Sequence, residues 1–502
     1  GYSDIGCYGG EIATPNLDSL ARGGLRFSQF YNSARCCPTR ASMLTGCYQH
    51  KVGLTRNGNN LSKNAVTIAE VLKGSGYQTG MTGKWHLSRT QGRKRDEQLK
   101  WLSHRENFGA FAPLDTYPCN RGFDEHYGVI WGVVNYFDPF TLVHNEKQIM
   151  EVPKDFYITD FISDKTVDLI GDYSKKDAPF FMYVAHTAPH WPLHAKPADI
   201  AKYKDRYQGG WDKLREDRYK RLLESGLFDK SNTPLPPNSS KRPWKKLSDA
   251  DKAYEAEIMS VHAAMVDCVD QGIGRIIKKL KETGQFDNTL ILFLADNGAS
   301  PERGYPPGFD RNGHKRDGTQ VNYKARTGLG SEDTYPYLGR PWSNAVNSPF
   351  RYWKAESYEG GCHTPMIAHW PKGLKTKGGA ITHQVGHVMD VMPTCLELAD
   401  AKYPAEYKGK KIVPMDGKSL LPILQGKQRA GHESIFFEHV GGRAVRTGDW
   451  KISALRGKPF ELFNLAKDRT ESTDLAKEHP EKLQAMTKAW KQWARSVGLR
   501  VK

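Results

Sequence analysis

One short segment combines a thiol, a proline and a guanidinium at a spacing that favours an anion site. Cys36 is followed closely by Pro38 and Arg40. Proline is favoured in the first turn of a helix, so we expect Cys36 at a helix N-terminus. Free N–H groups and the helix dipole there attract an anion, and Arg40 lies over the same face. Read alone, the pattern fits equally well a buried cysteine pair beside a helix start, because Cys37 is also present.

Further polar side chains stand just after apolar runs, where strands are predicted to end. Lys84 and His86 follow one run, His190 follows a second, and Asp296 with Asn297 follows a third. Ligands bind at the carboxyl ends of strands in open α/β sheets, so we predict that these side chains share one pocket. Taken singly, a Lys or His after a strand is more often a surface or packing residue, and Asp-Asn-Gly is an ordinary turn.

Strands and helices alternate over most of the chain, which predicts an α/β domain with helices on both faces of the sheet. Four apolar runs are typical of buried strands of a parallel sheet, over residues 77–82, 180–185, 290–295 and 365–369. Helical patterns cover residues 67–73, 156–173, 251–281 and 388–398.

The pattern changes near residue 430. Short strands joined by tight turns are predicted over residues 435–438, 443–446, 450–453 and 460–463, with turns at 441–442 and 448–449. A closing helix is predicted over residues 482–497. We therefore predict a large domain over 1–429 and a small antiparallel domain over 430–502.

The run from Cys36 to Gly46, Cys-x-Pro-x-Arg followed by Leu-Thr-Gly, resembles the signature of type I, formylglycine-dependent sulfatases. Other motifs of that family occur in the expected order, at residues 83–86, 188–192, 295–298 and at Lys354 before 357–361. The resemblance covers nearly the whole chain. It implies an arylsulfatase-like sulfuric ester hydrolase of the alkaline phosphatase superfamily. The expected fold is a mostly parallel central sheet flanked by helices, plus a small C-terminal domain with an antiparallel sheet and a helix.

By that resemblance, Cys36 is oxidised to formylglycine by a formylglycine-generating or an anaerobic sulfatase-maturating enzyme. The hydrated aldehyde is held by Arg40 and attacks sulfur, forming a covalent sulfate ester. A Ca²⁺ ion, or Mg²⁺, is expected on Asp296, Asn297 and the modified Cys36, because it prefers oxygen ligands. Cys37 fills the variable position of the motif and is expected to pack as a small apolar residue.

The remaining roles are also implied by the resemblance. Lys84 and Lys354 neutralise the sulfate charge. His190 protonates the departing alcohol, and His86 helps to remove a proton from the second hydroxyl, which expels sulfate.

One part of the family pattern is not matched. In sulfatases a strand ending in two metal-binding aspartates precedes the segment that Gly1 to Asp4 resembles, so we expect the given sequence to lack that strand and those ligands. Weak Ca²⁺ binding is the expected consequence, because Ca²⁺ takes about six to eight oxygens. The family implies a periplasmic or secreted protein, although the sequence shows no signal peptide.

Charge and composition limit the partners. The formal charge of +17 favours polyanions, or reflects a compositional bias of the source proteome. No zinc-finger spacing or Arg-rich arm is present, so we expect no nucleic-acid partner, and no apolar run is long enough for a membrane span. The eight cysteines form no Cys-x-x-Cys pair and leave one disulfide possible.

The expected substrate is a sulfated carbohydrate rather than an aryl sulfate, with specificity in loops over 88–120, 208–246 and 300–347. Aromatic and basic side chains there either contact sugars or are ordinary loop residues: Trp211, Trp244, Arg303, Tyr305, Arg311, His314, Arg316, Tyr335, Tyr337, Arg340 and Trp342.

Two alternative functions stay open. A phosphonate monoester hydrolase or phosphodiesterase of the same superfamily shares the Cys-x-Pro-x-Arg motif, although residues 83–86 and His190 favour the sulfatase. A non-catalytic binder of sulfated glycans accounts for the missing aspartates and the basic charge. Such a binder has no need of the Cys-x-Pro-x-Arg motif.

Overall fold

The computed structural model describes residues 1–89, 109–308 and 311–501. These ranges form a mixed α/β structure with two five-stranded sheets, a small hairpin and a four-stranded antiparallel sheet near the C-terminus. The predicted fold class is confirmed. Most of the predicted loop over 88–120, namely residues 90–108, lies outside the described residues.

The described strands, in chain order, are β1 (Leu25–Tyr31), β2 (Gln78–Lys84), β3 (Glu125–Val129), β4 (Leu142–His144), β5 (Lys147–Gln148), β6 (Phe180–Ala185), β7 (Ile291–Leu294), β8 (His363–His369), β9 (Ala380–Thr382), β10 (Gly386–His387), β11 (Glu406–Tyr407), β12 (Lys410–Lys411), β13 (Ser434–His439), β14 (Gly442–Thr447), β15 (Trp450–Ala454) and β16 (Glu461–Asn464). The described α-helices are α1 (Pro15–Gly23), α2 (Cys36–Thr45), α3 (Ile68–Gly74), α4 (Ile158–Tyr173), α5 (Pro197–Ala201), α6 (Gly210–Glu224), α7 (Asp249–Glu282), α8 (Gly339–Val346), α9 (Glu359–Cys362), α10 (Val391–Leu398), α11 (Leu421–Leu424) and α12 (Pro480–Ser496).

Strand β2 is the parallel centre of one sheet, whose order is β5-β4-β3-β2-β6. It pairs in parallel with β3 on one side and with β6 on the other. All seven of its residues are buried. Because the three strands are parallel, their carboxyl ends meet at one edge of the sheet, which is where the predicted site residues follow β2 and β6.

The second sheet contains a departure from the prediction. Strand β8, which includes the run predicted over 365–369 as parallel, pairs antiparallel with both β1 and β7. A continuous apolar run reports burial on both faces and not strand direction, and every residue of β8 is indeed buried. Strand β7, which lies in the run predicted over 290–295 as parallel, pairs only with β8 among the described strands, so its pairing is antiparallel too. Strand β6 pairs only with β2 among the described strands, and that pairing is parallel as predicted.

Helices cover the sheets much as the periodicity predicts. The longest, α7, has 34 residues, begins at the Ser248 N-cap and packs along α4. Helix α3 begins with a capping box in which Thr67 and Glu70 each bond the other's backbone N–H. Helix α2 begins at Cys36 with Pro38 in its first turn, as predicted. No described helix is long and apolar enough to cross a membrane.

The C-terminal sheet has the predicted strands, in the order β13-β14-β15-β16, with α12 packed against it. One turn differs, because Val440 and Gly441, rather than Gly441 and Gly442, are its central residues. Both have positive φ, +50° and +93°, while Gly442 pairs with His439. A two-residue turn of this kind matches the twist of its strands. The boundary at residue 430 stays a prediction.

A buried ion cluster joins this sheet to the large domain. The Lys451 ammonium on β15 lies 2.7 Å from Glu359 at the start of α9 and 3.0 Å from Glu471. All three side chains are fully buried. Although burial opposes ionisation, Lys451 and His363 hold the pKa of Glu359 well below its ordinary value. The cluster anchors the chain just after Lys354.

We predict that Lys451→Met lowers the free energy of unfolding by about 3–5 kcal/mol, because it leaves two buried carboxylates without their cation. Urea unfolding followed by far-UV circular dichroism measures the change. Lys488→Met, at an exposed position of α12, is the control and is expected to stay within about 0.5 kcal/mol of the parent. Equal stability of the two variants would show that the cluster contributes nothing.

Candidate active site

The guanidinium of Arg40 joins four elements around the start of α2. Its Nε and Nη2 donate to one carboxylate oxygen of Asp296, at 3.1 and 2.9 Å, just after β7. Its Nη1 donates to the backbone oxygen of Lys84, at 2.8 Å, and to the Tyr183 hydroxyl on β6, at 3.0 Å. Arg40 is 6% exposed. Its donors are therefore directed at the protein, and it positions Asp296 and the end of β2.

Cys36 is buried at the N-terminus of α2, beside Cys37. A hydrogen bond from the Cys37 thiol and the positive charge of Lys84 hold the pKa of Cys36 well below its ordinary value, although burial opposes this. The Asn57 side-chain oxygen lies 4.0 Å from the Cys36 sulfur. The pocket thus stabilises negative charge at residue 36, as expected at a helix N-terminus.

Lys84 and His86 leave the end of β2 pointing into this pocket. Burial lowers the pKa of the Lys84 ammonium, and the charges of Arg40 and Lys354 lower it further. His86 is 4% exposed, has a φ of +59°, and its Nδ1 has no hydrogen-bond partner. Gly132 faces its ring, and a side chain there would come within about 2.1 Å of the ring. Burial lowers the pKa of His86 to about 4, so it is neutral at pH 7.

His190 and Lys354 form a hydrogen-bonded pair. The Lys354 ammonium donates to His190 Nε2 at 3.0 Å, while His190 Nδ1 lies 2.7 Å from the backbone oxygen of Trp191. A carbonyl oxygen only accepts, so Nδ1 carries the proton and Nε2 presents its lone pair to Lys354. Burial, together with the charges of Lys354 and Lys84, holds the pKa of His190 well below its ordinary value.

Glu302 is a site residue that the sequence analysis missed. Its carboxylate accepts from Arg35 at 3.1 Å, lies 3.9 Å from the Lys354 ammonium and accepts from the Ser300 hydroxyl. Although burial opposes it, the charges of Lys354 and Arg35 keep its pKa below the ordinary value. An acidic residue soon after the Asp-Asn-Gly motif was the only sequence signal, and such a residue is common in loops.

His439 on β13 was also missed, because the hairpin was assigned to a separate subdomain. It is 6% exposed, and its Nδ1 has no hydrogen-bond partner. Burial and the charge of Arg35 lower its pKa to about 4. A side chain at Gly442, across the turn from His439, would lie 3.4 Å from the backbone oxygen of Ala355. The β13–β14 turn therefore borders the segment that follows Lys354.

The predicted metal ligands supply donors of the right kind. The side-chain oxygen of Asn297 is buried and has no hydrogen-bond partner, so its lone pairs can coordinate a cation. The Asp296 carboxylate stands beside it in sequence and is partly exposed. Hard oxygens of this type fit Ca²⁺ or Mg²⁺. They are two of the six to eight oxygens that Ca²⁺ takes, so this pair holds only part of its shell.

The predicted residues thus fall into two groups, and the members of each group contact one another. Arg40 joins Asp296 and the Lys84 backbone, and a ring nitrogen of His86 lies within 4.8 Å of the Cys36 sulfur. Lys354 with His190 forms the other group, and its charge lowers the pKa of Lys84. The catalytic and metal-binding roles of these residues stay predictions.

Known proteins share the sequence pattern and the fold. A family model described as "Sulfatase" matches residues 1–401, and one described as "N-sulphoglucosamine sulphohydrolase, C-terminal" matches 351–495. An uncharacterized sulfatase of Schizosaccharomyces pombe is 30% identical, covering 99% of this chain and 92% of its own. The arylsulfatase of Klebsiella aerogenes is 31% identical, covering 86% of this chain and 91% of its own. The crystal structure of Ps i-CgsB in complex with k-i-k-neocarrahexaose has a TM-score of 0.65 at 25% identity, covering 98% and 90% of the two chains.

We predict that the His86 imidazole titrates near pH 4, because burial disfavours its charged form. Nuclear magnetic resonance of protein labelled with ¹⁵N-histidine measures the midpoint, and the spectrum of His86→Gln assigns the signal. A midpoint near 6.5, the ordinary value for histidine, would contradict the buried, neutral state.

Proposed function

Because the chain belongs to the sulfatase family of sulfuric ester hydrolases, we propose that it removes sulfate from a sulfated carbohydrate, with a formylglycine made from Cys36 as the nucleophile. The observation that carries the proposal is the position of Cys36, buried at the start of α2 within reach of His86 and of the Lys84 charge. When formed, the formylglycine supplies a hydrated aldehyde whose oxygen attacks sulfur.

The pocket has the charge that a sulfate ester requires. The ammonium groups of Lys84 and Lys354 are 2% and 1% exposed, so water screens them weakly. A unit charge about 4 Å from another interacts by about 4 kcal/mol at an effective dielectric constant of about 20. We assign both lysines to binding the sulfate oxygens. Arg40 does not add a free cation, because Asp296 already accepts from it.

The leaving oxygen receives its proton from the pair of Lys354 and His190. In the resting structure His190 Nε2 has a lone pair and no proton, so His190 alone is not yet an acid. Lys354 holds protons 3.0 Å away. The negative charge of a bound sulfate favours protonated His190, which then donates at Nε2. This assignment adds Lys354 to the expectation that His190 protonates the departing alcohol.

His86 is suited to the opposite task. It is neutral at pH 7 because burial lowers its pKa to about 4, and one of its ring nitrogens hydrogen-bonds Cys36. A neutral imidazole beside residue 36 accepts a proton from a hydroxyl there, which is the step needed to release sulfate. Gly132 leaves room for the ring at this position.

The metal site is assigned to Asp296 and Asn297. The unpartnered oxygen of Asn297 supports this assignment. When bound, Ca²⁺ supplies positive charge that stabilises the sulfate oxygens.

A carbohydrate is the proposed substrate because of the side chains next to His190. Tyr305 is 45% exposed, and the centre of its ring lies 6.5 Å from the centre of the Trp191 ring. The Arg311 guanidinium lies over the Tyr305 ring, 5.3 Å from the ring centre. An exposed aromatic ring with a neighbouring cation suits a sugar bearing an anionic group. The solved relative Ps i-CgsB was crystallised with a neocarrahexaose.

The three tryptophans among the candidate sugar-contacting residues do not share this role. Trp211, Trp244 and Trp342 pack edge to face against one another in the core, and each is at most 8% exposed. Helix α6 occupies part of the loop predicted over 208–246, which explains the burial of Trp211.

The deciding experiment measures sulfate release from a panel of sulfated glycans by the protein produced together with a formylglycine-forming enzyme. A phosphonate monoester and a phosphate diester are assayed in parallel. We expect sulfate release to exceed both by about tenfold or more, since the sequence at residues 83–86 and around His190 matches the sulfatase motifs. A preference for either phosphorus ester would overturn the proposal, and so would the absence of any turnover.

We predict that Cys36→Ser abolishes turnover when the maturing enzyme acts only on cysteine, while Cys37→Ser retains it. Pro38 and Arg40 stand at the motif distance from Cys36 and not from Cys37. Initial rates, together with the mass of the peptide containing residue 36, make the comparison. Turnover by the Cys36 variant with loss in the Cys37 variant would reverse the assignment.

We predict that Glu302→Gln lowers kcat about tenfold without raising KM. The substitution removes the negative charge that positions Lys354, so we expect weaker proton delivery to the leaving oxygen and a lower kcat. The same change removes a negative charge from a pocket that binds an anion, so we do not expect KM to rise. Glu433→Gln, at an exposed position, is the control. A raised KM with unchanged kcat would mean that Glu302 binds the sugar instead.

A further inference from the structure

We propose that the unmodified chain holds a thiophilic divalent cation, such as Zn²⁺, on Cys36, Cys37 and His86, and that oxidation of Cys36 to formylglycine removes this site. One ligand atom from each residue, two sulfurs and a ring nitrogen, lies within 4.8 Å of the other two. All three side chains are buried. The inference rests on the proposed function only for the oxidation step.

The donor set is that of a soft metal. Zn²⁺ binds thiolate at about 2.3 Å and imidazole nitrogen at about 2.0–2.1 Å, usually with four ligands. Two thiolates and one imidazole supply three of them, so small side-chain rotations and one further donor complete the shell. Cys37 is a thiol that hydrogen-bonds Cys36, so metal binding displaces its proton. The two resulting thiolates balance the charge of the dication, which lets it lie near Lys84 without net repulsion.

His86 gives independent support. One of its ring nitrogens hydrogen-bonds Cys36 and lies within 4.8 Å of both sulfurs, so the imidazole already faces the two cysteines. Its backbone has a positive φ, uncommon for a non-glycine residue, and its ring packs against Trp131 at 5.2 Å. The backbone and the packing thus hold the imidazole beside the two cysteines.

This site differs from the one assigned to Ca²⁺. Asp296 and Asn297 offer hard oxygens, whereas Cys36 and Cys37 offer soft sulfurs. The maturing enzyme carries out this two-electron oxidation with an electron acceptor such as dioxygen: the Cβ–Sγ bond of Cys36 breaks, the sulfur leaves as sulfide, and a Cβ–oxygen double bond forms. The thiol of Cys37 alone then remains, so the soft donor set is lost. Maturation therefore changes the metal preference of the pocket from thiophilic to oxophilic, and it gives Cys37 a role only before maturation.

The test uses the whole chain produced without any formylglycine-forming enzyme and titrated with Co²⁺. Tetrahedral cobalt with thiolate ligands has strong visible bands and a sulfur-to-cobalt charge-transfer band in the near ultraviolet. We expect one equivalent to bind, Zn²⁺ to displace it, and Cys37→Ser to weaken binding at least about tenfold. His86→Gln is expected to weaken it similarly. Cys119→Ser, outside the cluster, is the control and keeps full binding.

Three results would overturn the proposal: no charge-transfer band in the unmodified chain, a band unchanged in Cys37→Ser, or a band that persists in protein converted at residue 36. Far-UV circular dichroism of each variant shows that a loss of binding is not a loss of fold. Sulfate release by the converted protein is measured separately. Failure of cobalt binding leaves that activity intact, and failure of the activity leaves cobalt binding intact.

Discussion

The guanidinium of Arg40 is the contact on which the pocket depends. It is buried on α2 and donates to Asp296 after β7, to the backbone at the end of β2 and to Tyr183 on β6. These elements come from both sheets, so one side chain sets how the two sheets meet at the site. A buried guanidinium requires this number of partners, because each unpaired N–H would cost free energy.

Around that contact the pocket combines buried cations with neutral histidines. Burial and mutual repulsion lower the pKa of Lys84, and the same effects keep His86 and His190 neutral. Asp296 and Glu302 supply the compensating negative charge, one beside Arg40 and the other beside Lys354. An incoming anion therefore meets a site whose groups are already oriented, and its charge makes a histidine easier to protonate.

The C-terminal sheet takes part in this arrangement. Its Lys451 joins Glu359 and Glu471 in a fully buried cluster. Of these, Glu359 lies a few residues after Lys354 in the chain. Its β13–β14 turn places His439 within electrostatic reach of Arg35 and Cys36. A charged cluster buried between two parts of a chain holds them in one register, because any shift would leave a charge unpaired. The position of Lys354 therefore depends on residues about a hundred places further along the chain.

Local patterns in the sequence were sufficient for the helix that begins at Cys36, for strand β6 and for the strands after residue 434, because proline, apolar runs and turn residues act over a few neighbours. The Cys-x-Pro-x-Arg motif, its Leu-Thr-Gly extension and the further motifs in the expected order together identified the family. Only the tertiary structure decided the antiparallel direction of β8, the tautomer of His190, and the contacts of Glu302 and His439. Each of these depends on a partner distant in sequence or on backbone geometry, and burial patterns along the chain do not record which groups meet.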